Sequence, residues 1–380
     1  MKNGWEMVKL GRALVSRQIE PDAVKVASGE IPIISKIGFE KGQIELRNDG
    51  ISNTKLISVY PNDLVLSGIN AAKGAISIND LRCQIAATIH YSAYHVNEGE
   101  ADLNYLLFYL RSRVFQDFLK FESANGLKTE IKPKKFLSFE IPLPPLTEQQ
   151  RIAGRLAALK GKMDTVKGLR GEQEKEMKGL LLAQYRNIIE GAEWMPMKEV
   201  APLVRRAVDL QPNTIYSEIG VRSFGKGVFE KPQINSDELT WQKPYWVKSG
   251  DLLMSNIKAW EGAVAAVGKE HDGKVGSHRY LTFVPDPEMT SAEFLAFHFL
   301  TDEGLLRLGE ASPGSADRNR TLNTKIILNT LVPVPDIHLQ NEFLQLQTKM
   351  EQLKAAQGGQ LAGLEGLFPA VLEKAFRGEW

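Results

Sequence analysis

The chain has 380 residues, of which 43% are hydrophobic and 24% are charged, and its formal net charge is +1. This composition is typical of a folded protein with room for about two domains and excludes a disordered chain. The single cysteine, Cys83, excludes an internal disulfide or a cysteine-based zinc site and favours a reducing compartment. Because no apolar run reaches a membrane span and the first residues lack a signal peptide, we expect a cytoplasmic protein.

Residues 1–146 are predicted to form a domain of mixed α and β structure. Short β-branched runs separated by Asn, Asp and Gly predict strands. These runs cover residues 31–34, 56–60, 63–66 and 74–78. Apolar residues then recur at a helical period between Leu103 and Phe121, which predicts a helix there.

Residues 147–190 are predicted to form one long helix. Thr147 and Gln150 have the spacing of a capping box, and the prolines before them end the strand segment. Spacings of three and four residues between apolar positions predict a coiled-coil seam along about 60 Å of helix. The predicted seam residues are Ile152, Leu156, Leu159, Met163, Val166, Met177 and Leu180.

The same pattern then returns about 190 residues later. Pro142 and Pro333 stand 333 − 142 = 191 residues apart, and Asp63-Leu-Val-Leu-Ser matches Asp251-Leu-Leu-Met-Ser. This period is too long for a solenoid, so it predicts a second domain at 191–337. Its strands are expected near 247–254 and 262–267, its helix at 292–308, and a second long helix at 338–380. The second seam is predicted at Phe343, Leu346, Met350, Leu353, Leu364, Leu367 and Val371.

Both seams have a polar gap, at Arg170 and Gln173 in one helix and at Gln357 and Gln360 in the other. An antiparallel pair would place the gaps opposite each other, where they would fix the register. A solvated mid-helix is the alternative. Glycines at 154, 161 and 168 fall opposite the seam, which indicates either a face for a second body or tolerated surface drift.

We find no catalytic constellation in the sequence. It has neither a phosphate-binding loop of the Gly-x-x-x-x-Gly-Lys-Ser/Thr type nor a Gly-x-Gly-x-x-Gly fingerprint, and its six histidines lack the spacing of metal ligands. Basic residues instead precede each Pro-x-Pro motif, and others lie among glycines and aromatics. Arg can pair with guanine and Asn with adenine, while Lys favours phosphates. The candidate DNA-binding residues are Lys36, Lys55, Asn70, Lys73, Lys128, Lys132, Lys134, Lys135, Arg222, Lys226, Lys258, His278, Arg279, Arg318, Arg320 and Lys325.

Four segments together carry a family resemblance. They are Trp5–Gly11, Ile141–Ile152 with its Pro-Leu-Pro-Pro-Leu-Thr-Glu-Gln-Gln sequence, residues 251–255, and the Ala-Phe-Arg-Gly-Glu tail at 375–379. The chain resembles the specificity subunit of type I restriction-modification systems over essentially its whole length. The second Pro-x-Pro copy is degenerate, with Asp336-Ile-His-Leu-Gln-Asn after it. A second partner contact there is therefore expected less firmly than the first.

The resemblance implies an α+β fold with two similar target-recognition domains in tandem, each followed by a long helix. The two helices would form an antiparallel coiled coil that spaces the domains and docks two methylation subunits. Restriction subunits, which translocate and cut DNA, would complete the complex. The resemblance implies no cofactor in this chain, with S-adenosylmethionine, ATP and Mg²⁺ bound by partner subunits.

Three functions remain open at this stage. The first is a non-catalytic subunit that targets double-stranded DNA at a bipartite site. The second is the same role in a related system that does not translocate, and the third is a coiled-coil scaffold without DNA binding. Because the two copies differ most where they would touch bases, a non-palindromic target is predicted.

Overall fold

A computed structural model describes residues 5–124, 130–239, 243–314 and 320–377. The chain divides into two compact units, Met1–Arg170 with Gln357–Trp380, and Gly171–Ala356. Each unit holds one sheet-rich domain and parts of both long helices. Among the described residues, no helix has the length and apolar composition that crossing a membrane requires.

The first unit alternates short strands and helices before its long helix. Its strands are β1 Met7–Lys9, β2 Leu14–Arg17, β3 Ile33–Ile37, β4 Ile44–Arg47, β5 Leu56–Val59, β6 Leu64–Ser67, β7 Ile76–Ile78, β8 Ile85–Thr88, β9 Tyr91–Val96 and β10 Glu140–Pro142. Its helices are α1 Leu10–Ala13, α2 Ala23–Ala27, α3 Leu103–Arg111, α4 Arg113–Ala124, α5 Pro133–Leu137 and the start of α6, which spans Leu146–Ile189.

Two four-stranded sheets form the first domain. One has the order β2-β9-β6-β7 and is antiparallel throughout, and the other has the order β4-β3-β8-β5 with β3 and β8 parallel. β1 pairs with β10, which brings Met7 opposite Pro142. The main core lies between the first sheet and α3–α5 and includes Leu10, Tyr94 and Phe136. Burial of these apolar side chains is the principal stabilising contribution.

The second unit repeats this order. Its strands are β11 Glu193–Pro196, β12 Ile215–Tyr216, β13 Glu218–Val221, β14 Val228–Glu230, β15 Ile234–Asn235, β16 Tyr245–Val247, β17 Leu252–Ser255, β18 Val264–Ala266, β19 Lys274–Gly276, β20 Tyr280–Phe283 and β21 Leu331–Val334. Its helices are α7 Met197–Val200, α8 Ala292–Phe299, α9 Asp302–Glu310, α10 Thr324–Asn329 and the start of α11, which spans Ile337–Arg377.

The sheets of the second domain correspond to those of the first, with one reduction and one addition, the two-stranded sheet β12-β15. The sheet β14-β13-β19-β16 matches β4-β3-β8-β5, including the parallel pair in the middle. The other sheet, β18-β17-β20, has three strands. Where β2 would stand, a single bridge joins Leu203 to Phe283. β11 pairs with β21 as β1 pairs with β10.

The predicted helices at 103–121 and 292–308 are each broken in two, which corrects the sequence prediction. Ser112 has extended backbone, and its hydroxyl donates to the Tyr109 carbonyl and accepts from the Phe115 amide. Thr301 has extended backbone, and its hydroxyl accepts from the Gly304 amide. Such local bonds compete with continued helix, and apolar periodicity alone does not reveal them.

The predicted strand at 247–254 is also two strands. The turn between β16 and β17 contains Gly250 with φ +85°, a conformation that glycine adopts readily. The Asp251 carboxylate accepts the Lys248 amide across this turn. In the first domain Asp63 accepts the Tyr60 amide, and Asn62 has φ +63°. The repeated aspartate is therefore a turn residue.

Both long helices begin one residue earlier than predicted. Because α6 starts at Leu146, Thr147 lies inside the first turn and the predicted capping box is wrong. The Pro145 carbonyl accepts from the amides of Glu148 and Gln149. α11 starts at Ile337, and the Asp336 carboxylate accepts the His338 amide as a helix cap.

The two long helices run antiparallel in each unit. In the first unit Ile152 and Leu156 from the start of α6 share a core with Leu372 and Phe376 from the end of α11. In the second unit Tyr185 from the end of α6 lies in one cluster with Phe343 from the start of α11. Seam residues Leu159, Val166, Met177, Leu346, Leu364 and Val371 are half-buried, and Met163 and Met350 are buried.

Three predicted seam residues are wrong, because Leu180, Leu353 and Leu367 are 55%, 54% and 41% exposed. The spacing of three and four shifts by one residue, so Leu181 and Phe368 lie on the packed side. The polar gaps of the two helices do meet within the first unit, where the Arg170 guanidinium donates to the Gln357 carbonyl at 3.0 Å. A role of this layer in setting the register stays a prediction, and the side chain of Gln360 lies outside the described residues.

A buried histidine distinguishes the core of the second unit. His298 Nδ1 is hydrogen-bonded to the Tyr185 hydroxyl at 2.6 Å, and the ring lies beside Trp194. Nε2 is buried and finds no hydrogen-bond partner within the described ranges. Burial lowers the pKa of His298 to about 4. In the first unit Tyr109 occupies the corresponding place, 298 − 109 = 189 residues earlier, against Phe376.

Candidate nucleic-acid interface

Four loops of the second domain are joined by backbone hydrogen bonds at one end of its sheets. The hairpin loop between β13 and β14 lies on the turn after β17, because the Phe224 amide donates to the Glu261 carbonyl at 2.8 Å. The Asn256 amide donates to the Arg279 carbonyl, and the Leu322 amide donates to the Asn256 carbonyl. Six sequence-predicted residues thus belong to one loop cluster: Arg222, Lys226, Lys258, His278, Arg279 and Arg320.

Several cations in this cluster make cation–π contacts with aromatic rings. The Lys258 ammonium lies 5.3 Å and the Arg320 guanidinium 4.6 Å from the centre of the Trp260 ring. Arg222 lies 5.0 Å from the centre of the Phe229 ring. Such contacts orient a cation without neutralising it. The arrangement is suited to a polyanion that presents both charge and flat rings.

The predicted residues differ in how far they are already engaged. Arg320 donates to the Ser312 and Gly309 carbonyls, both at 3.1 Å, so it holds the fold of its loop. Lys258 pairs with Glu261 at 2.6 Å, and this hydrogen bond lowers the pKa of the Glu261 carboxyl. Arg222, Lys226, His278 and Arg279 have exposed side chains at the loop surface.

Two arginines that the sequence analysis missed position this surface. Arg205 lies 3.5 Å from the centre of the Tyr245 ring, and its guanidinium donates to the carbonyls of Tyr280 and His278. It therefore holds the segment that carries His278 and Arg279. Arg206 makes a bidentate pair with the buried Asp251, with N–O distances of 2.6 and 3.0 Å.

The signal for this arginine pair was present in the repeat. In the first domain Arg17 pairs with the buried Asp63 at 3.0 Å. The arginines are 206 − 17 = 189 residues apart and the aspartates 251 − 63 = 188. A buried carboxylate requires a cationic partner. Because the aspartates recur in the repeat, a cation that recurs at the same spacing is the expected partner of each.

In the first domain the predicted lysines carry acidic neighbours. The structure gives four ion pairs, Lys36–Glu45 at 3.2 Å, Lys55–Glu20 at 3.7 Å, Lys132–Glu130 at 2.6 Å and Lys135–Glu122 at 3.3 Å. Exposed pairs of this kind are worth about 0–1 kcal/mol, so a phosphate can displace the acid at little cost. Lys134 is exposed, and Asn70 is half-buried beside the turn after β6.

Lys55 and Lys132 line one cavity with Arg17. The cavity has a volume of about 290 Å³, and Tyr91 and Ser92 also line it. Lys73 lies apart from this cavity, with its ammonium 5.7 Å from the centre of the Phe39 ring. Lys325 in α10 lines a different cavity of about 810 Å³ in the second unit, together with Trp194 and Arg307. Lys128 and Arg318 lie outside the described residues.

A buried glutamine joins each long helix to the domain before it. The Gln149 side-chain amide donates to the Pro144 carbonyl at 2.8 Å and to the Glu100 carbonyl at 3.0 Å. Its oxygen accepts the Asp102 amide at 2.9 Å. Asp102 caps α3, so one side chain ties the start of α6 to the Pro-x-Pro loop and to the entry of α3. We call this arrangement the glutamine latch.

The second unit has the same latch. The Gln340 side-chain amide donates to the Pro335 and Met289 carbonyls, both at 2.8 Å, and its oxygen accepts the Thr290 hydroxyl at 2.9 Å. Gln340 stands 340 − 149 = 191 residues after Gln149, the spacing of the prolines. The second motif is degenerate around this residue but retains its buried contact.

Comparison with known proteins finds similarity to one family. Residues 3–173 match the family model of the type I restriction modification DNA specificity domain. The type I restriction enzyme MjaVIII specificity subunit of Methanocaldococcus jannaschii is 24% identical over 92% of this chain and 86% of its own. The EcoBI specificity subunit of Escherichia coli is 23% identical over 84% of this chain and 74% of its own.

Solved structures confirm the predicted fold. A chain described in work on complex assembly and conformational transition of the type I R-M system has a TM-score of 0.69 at 20% identity, covering 100% of this chain and 99% of that one. The HsdS subunit from Thermoanaerobacter tengcongensis has a TM-score of 0.58 at 19% identity, covering 100% and 98%. The predicted relationship is confirmed, and the chain is a relative of type I restriction-modification specificity subunits.

Proposed function

We propose that this chain directs a type I restriction-modification complex to a bipartite DNA target, with each domain binding one part. The observation that carries the proposal is the repeat itself. The latch and the turn aspartate recur in both domains, while the exposed basic loops differ. Two domains with the same internal contacts and different exposed loops suit two different DNA half-sites, so the target is non-palindromic.

The exposed cations divide by chemistry between the two kinds of DNA contact. Arg222 and Arg279 have forked donors on loops, a geometry that can pair with guanine in the major groove. Lysines such as Lys55, Lys132 and Lys226 supply single charges for phosphates. Arg205 and Arg320 act through the loops that they hold. Sequence specificity therefore depends on a few arginines, and affinity depends on many lysines.

The chemistry belongs to partner subunits in this proposal. The chain acts as a non-catalytic targeting subunit, and the described residues contain no cluster of metal-ligating side chains. Two methylation subunits would dock on the long helices and bind S-adenosylmethionine. Restriction subunits would supply ATP- and Mg²⁺-dependent translocation and cleavage. The open face at Gly154, Gly161 and Gly168, where an added Cβ would meet nothing within 4 Å, leaves room for close approach of a partner helix.

A salt titration of the chain assembled with its methylation subunits tests the proposal. If the basic loops contact 6–10 phosphates, affinity for target DNA should fall roughly 10³- to 10⁵-fold between 50 and 200 mM salt. Binding that is absent or independent of salt would instead support a scaffold without DNA contact. Adding restriction subunits should produce DNA-dependent ATP hydrolysis, and its absence would favour a related system that does not translocate.

A further inference from the structure

Each domain carries an exposed phenylalanine in the loop of its first long hairpin. Phe39 lies between β3 and β4 and is 47% exposed, and Phe224 lies between β13 and β14 and is 73% exposed. Both loops lie on the glycine that ends the next turn of 3₁₀ helix, Gly74 in one domain and Gly262 in the other. The two aromatics therefore occupy corresponding places.

The loop around Phe224 is held by backbone hydrogen bonds in a strained conformation. Phe224 has φ +63°, which costs a residue with a Cβ roughly 1–2 kcal/mol. Its amide donates to the Glu261 carbonyl at 2.8 Å, and the next amide, of Gly225, donates to the Gly262 carbonyl at 3.0 Å. The ring gains little burial in return. A strained and exposed aromatic contributes nothing evident to the fold.

The loop around Phe39 is held by different means. The Arg111 guanidinium donates to the carbonyls of Glu40 at 2.5 Å and Ile76 at 3.2 Å. A Cβ at Gly74 would stand 2.7 Å from the Phe39 carbonyl, so glycine is needed for the close approach. Different contacts thus give one outcome, an exposed ring on a fixed loop.

A lysine ammonium lies near each ring. The Lys73 ammonium lies 5.7 Å from the centre of the Phe39 ring, and the Lys226 ammonium lies 5.9 Å from that of Phe224. Arg222 extends from the same loop as Phe224. Lysine is depleted in protein–protein interfaces, whereas apolar side chains flanked by cations are common where proteins contact bases. The pattern favours DNA over a protein partner.

We infer that Phe39 and Phe224 are apolar base contacts, each within the half of the target bound by its own domain. The neighbouring cations bind the phosphates beside the contacted bases. This inference rests on the proposed function and adds specificity-determining residues to it. The fixed loops keep the ring in place before binding, so the contact costs little ordering.

Alanine substitution at each ring tests the inference in the full chain assembled with methylation subunits. Phe224→Ala should weaken binding to target DNA by about 10-fold or more, the worth of one good base contact, and leave binding to unrelated DNA unchanged. The sequence requirement for adenine methylation should relax only in the half-site bound by the second domain. Phe39→Ala should affect the other half-site. Phe121→Ala, at a helix residue that is 65% exposed, is the matched control and should change neither.

A second variant separates function from folding. Phe224→Gly removes the strain of the positive φ, so the protein should melt no lower than wild type while target binding weakens as in Phe224→Ala. If both variants bind like Phe121→Ala while wild type binds DNA in the expected salt-dependent way, this inference is overturned and the proposed function stands. Loss of methylation-subunit assembly would make the ring a protein contact and would also overturn the inference.

Discussion

Gln149 and Gln340 occupy corresponding places in the two domains and make matching buried hydrogen bonds, whereas Lys73 and Glu261 occupy corresponding places with opposite charges. The difference follows from burial. A buried polar group that loses its partner costs about 1–3 kcal/mol, while an exposed charge is exchanged at almost no cost. The junctions between each domain and its long helix therefore stay alike, while the exposed loops are free to differ. Two domains of one fold that bind different DNA sequences require this combination.

The latch should give the largest effect. Gln149→Met leaves the buried Pro144 carbonyl and the half-buried Glu100 carbonyl and Asp102 amide without this partner, so we expect the free energy of unfolding to fall by roughly 3–6 kcal/mol. Gln340→Met should behave alike in the second unit. Chemical denaturation measures both. Gln150→Met, at the exposed neighbouring residue, is the control. Equal stability of Gln149→Met and this control would show that the buried hydrogen bonds of the latch do not stabilise the junction.

The buried histidine should make the stability of the second unit depend on pH in a way that the first unit does not share. Because the pKa of His298 is about 4 in the folded state and about 6.5 when unfolded, the unfolded state binds more protons between these values. Stability should therefore be lost as pH falls through this window, by about 3 kcal/mol in all. His298→Gln should remove this dependence, whereas the exposed His338→Gln should not. An unchanged pH slope in His298→Gln would contradict the assignment.

The shifted seam should give the smallest effect. Leu181→Ala removes a side chain that packs beside Tyr185 and Phe343, so a loss of about 1–2 kcal/mol is expected. Leu180→Ala, at the exposed residue next to it, should stay within about 0.5 kcal/mol of wild type. Thermal unfolding compares them directly. Equal losses of stability in the two variants would instead support the seam predicted from spacing alone.

The repeat, the two sheet-rich domains and the two long helices could be predicted from sequence, because these features rest on periodicity and spacing. The antiparallel pairing of the helices was implied by the family resemblance. Breaks such as Ser112 and Thr301 could not, because a side chain competing for a backbone group leaves the apolar pattern intact. The seam error at Leu180 arose where apolar residues at 180, 181 and 182 offered several registers.

The candidate surface was predicted unevenly. Arg222 and Arg279 were found because their loops combine glycine with basic residues. Arg205 was missed, since its role depends on the Tyr245 ring and on carbonyls far along the chain. Phe224 was passed over because an exposed aromatic looks like core in a sequence. Only the positive φ and the exposure single it out.

Each domain is proposed to bind its own half of one DNA target. Genome-wide mapping of methylated adenines, with the chain and its methylation subunits expressed together, measures the sequence requirement of each half. Wild type should modify one bipartite, non-palindromic motif, and Arg279→Ala should relax the sequence requirement in one half only. A palindromic motif, or relaxation of both halves by this single substitution, would show that the two domains do not bind separate half-sites.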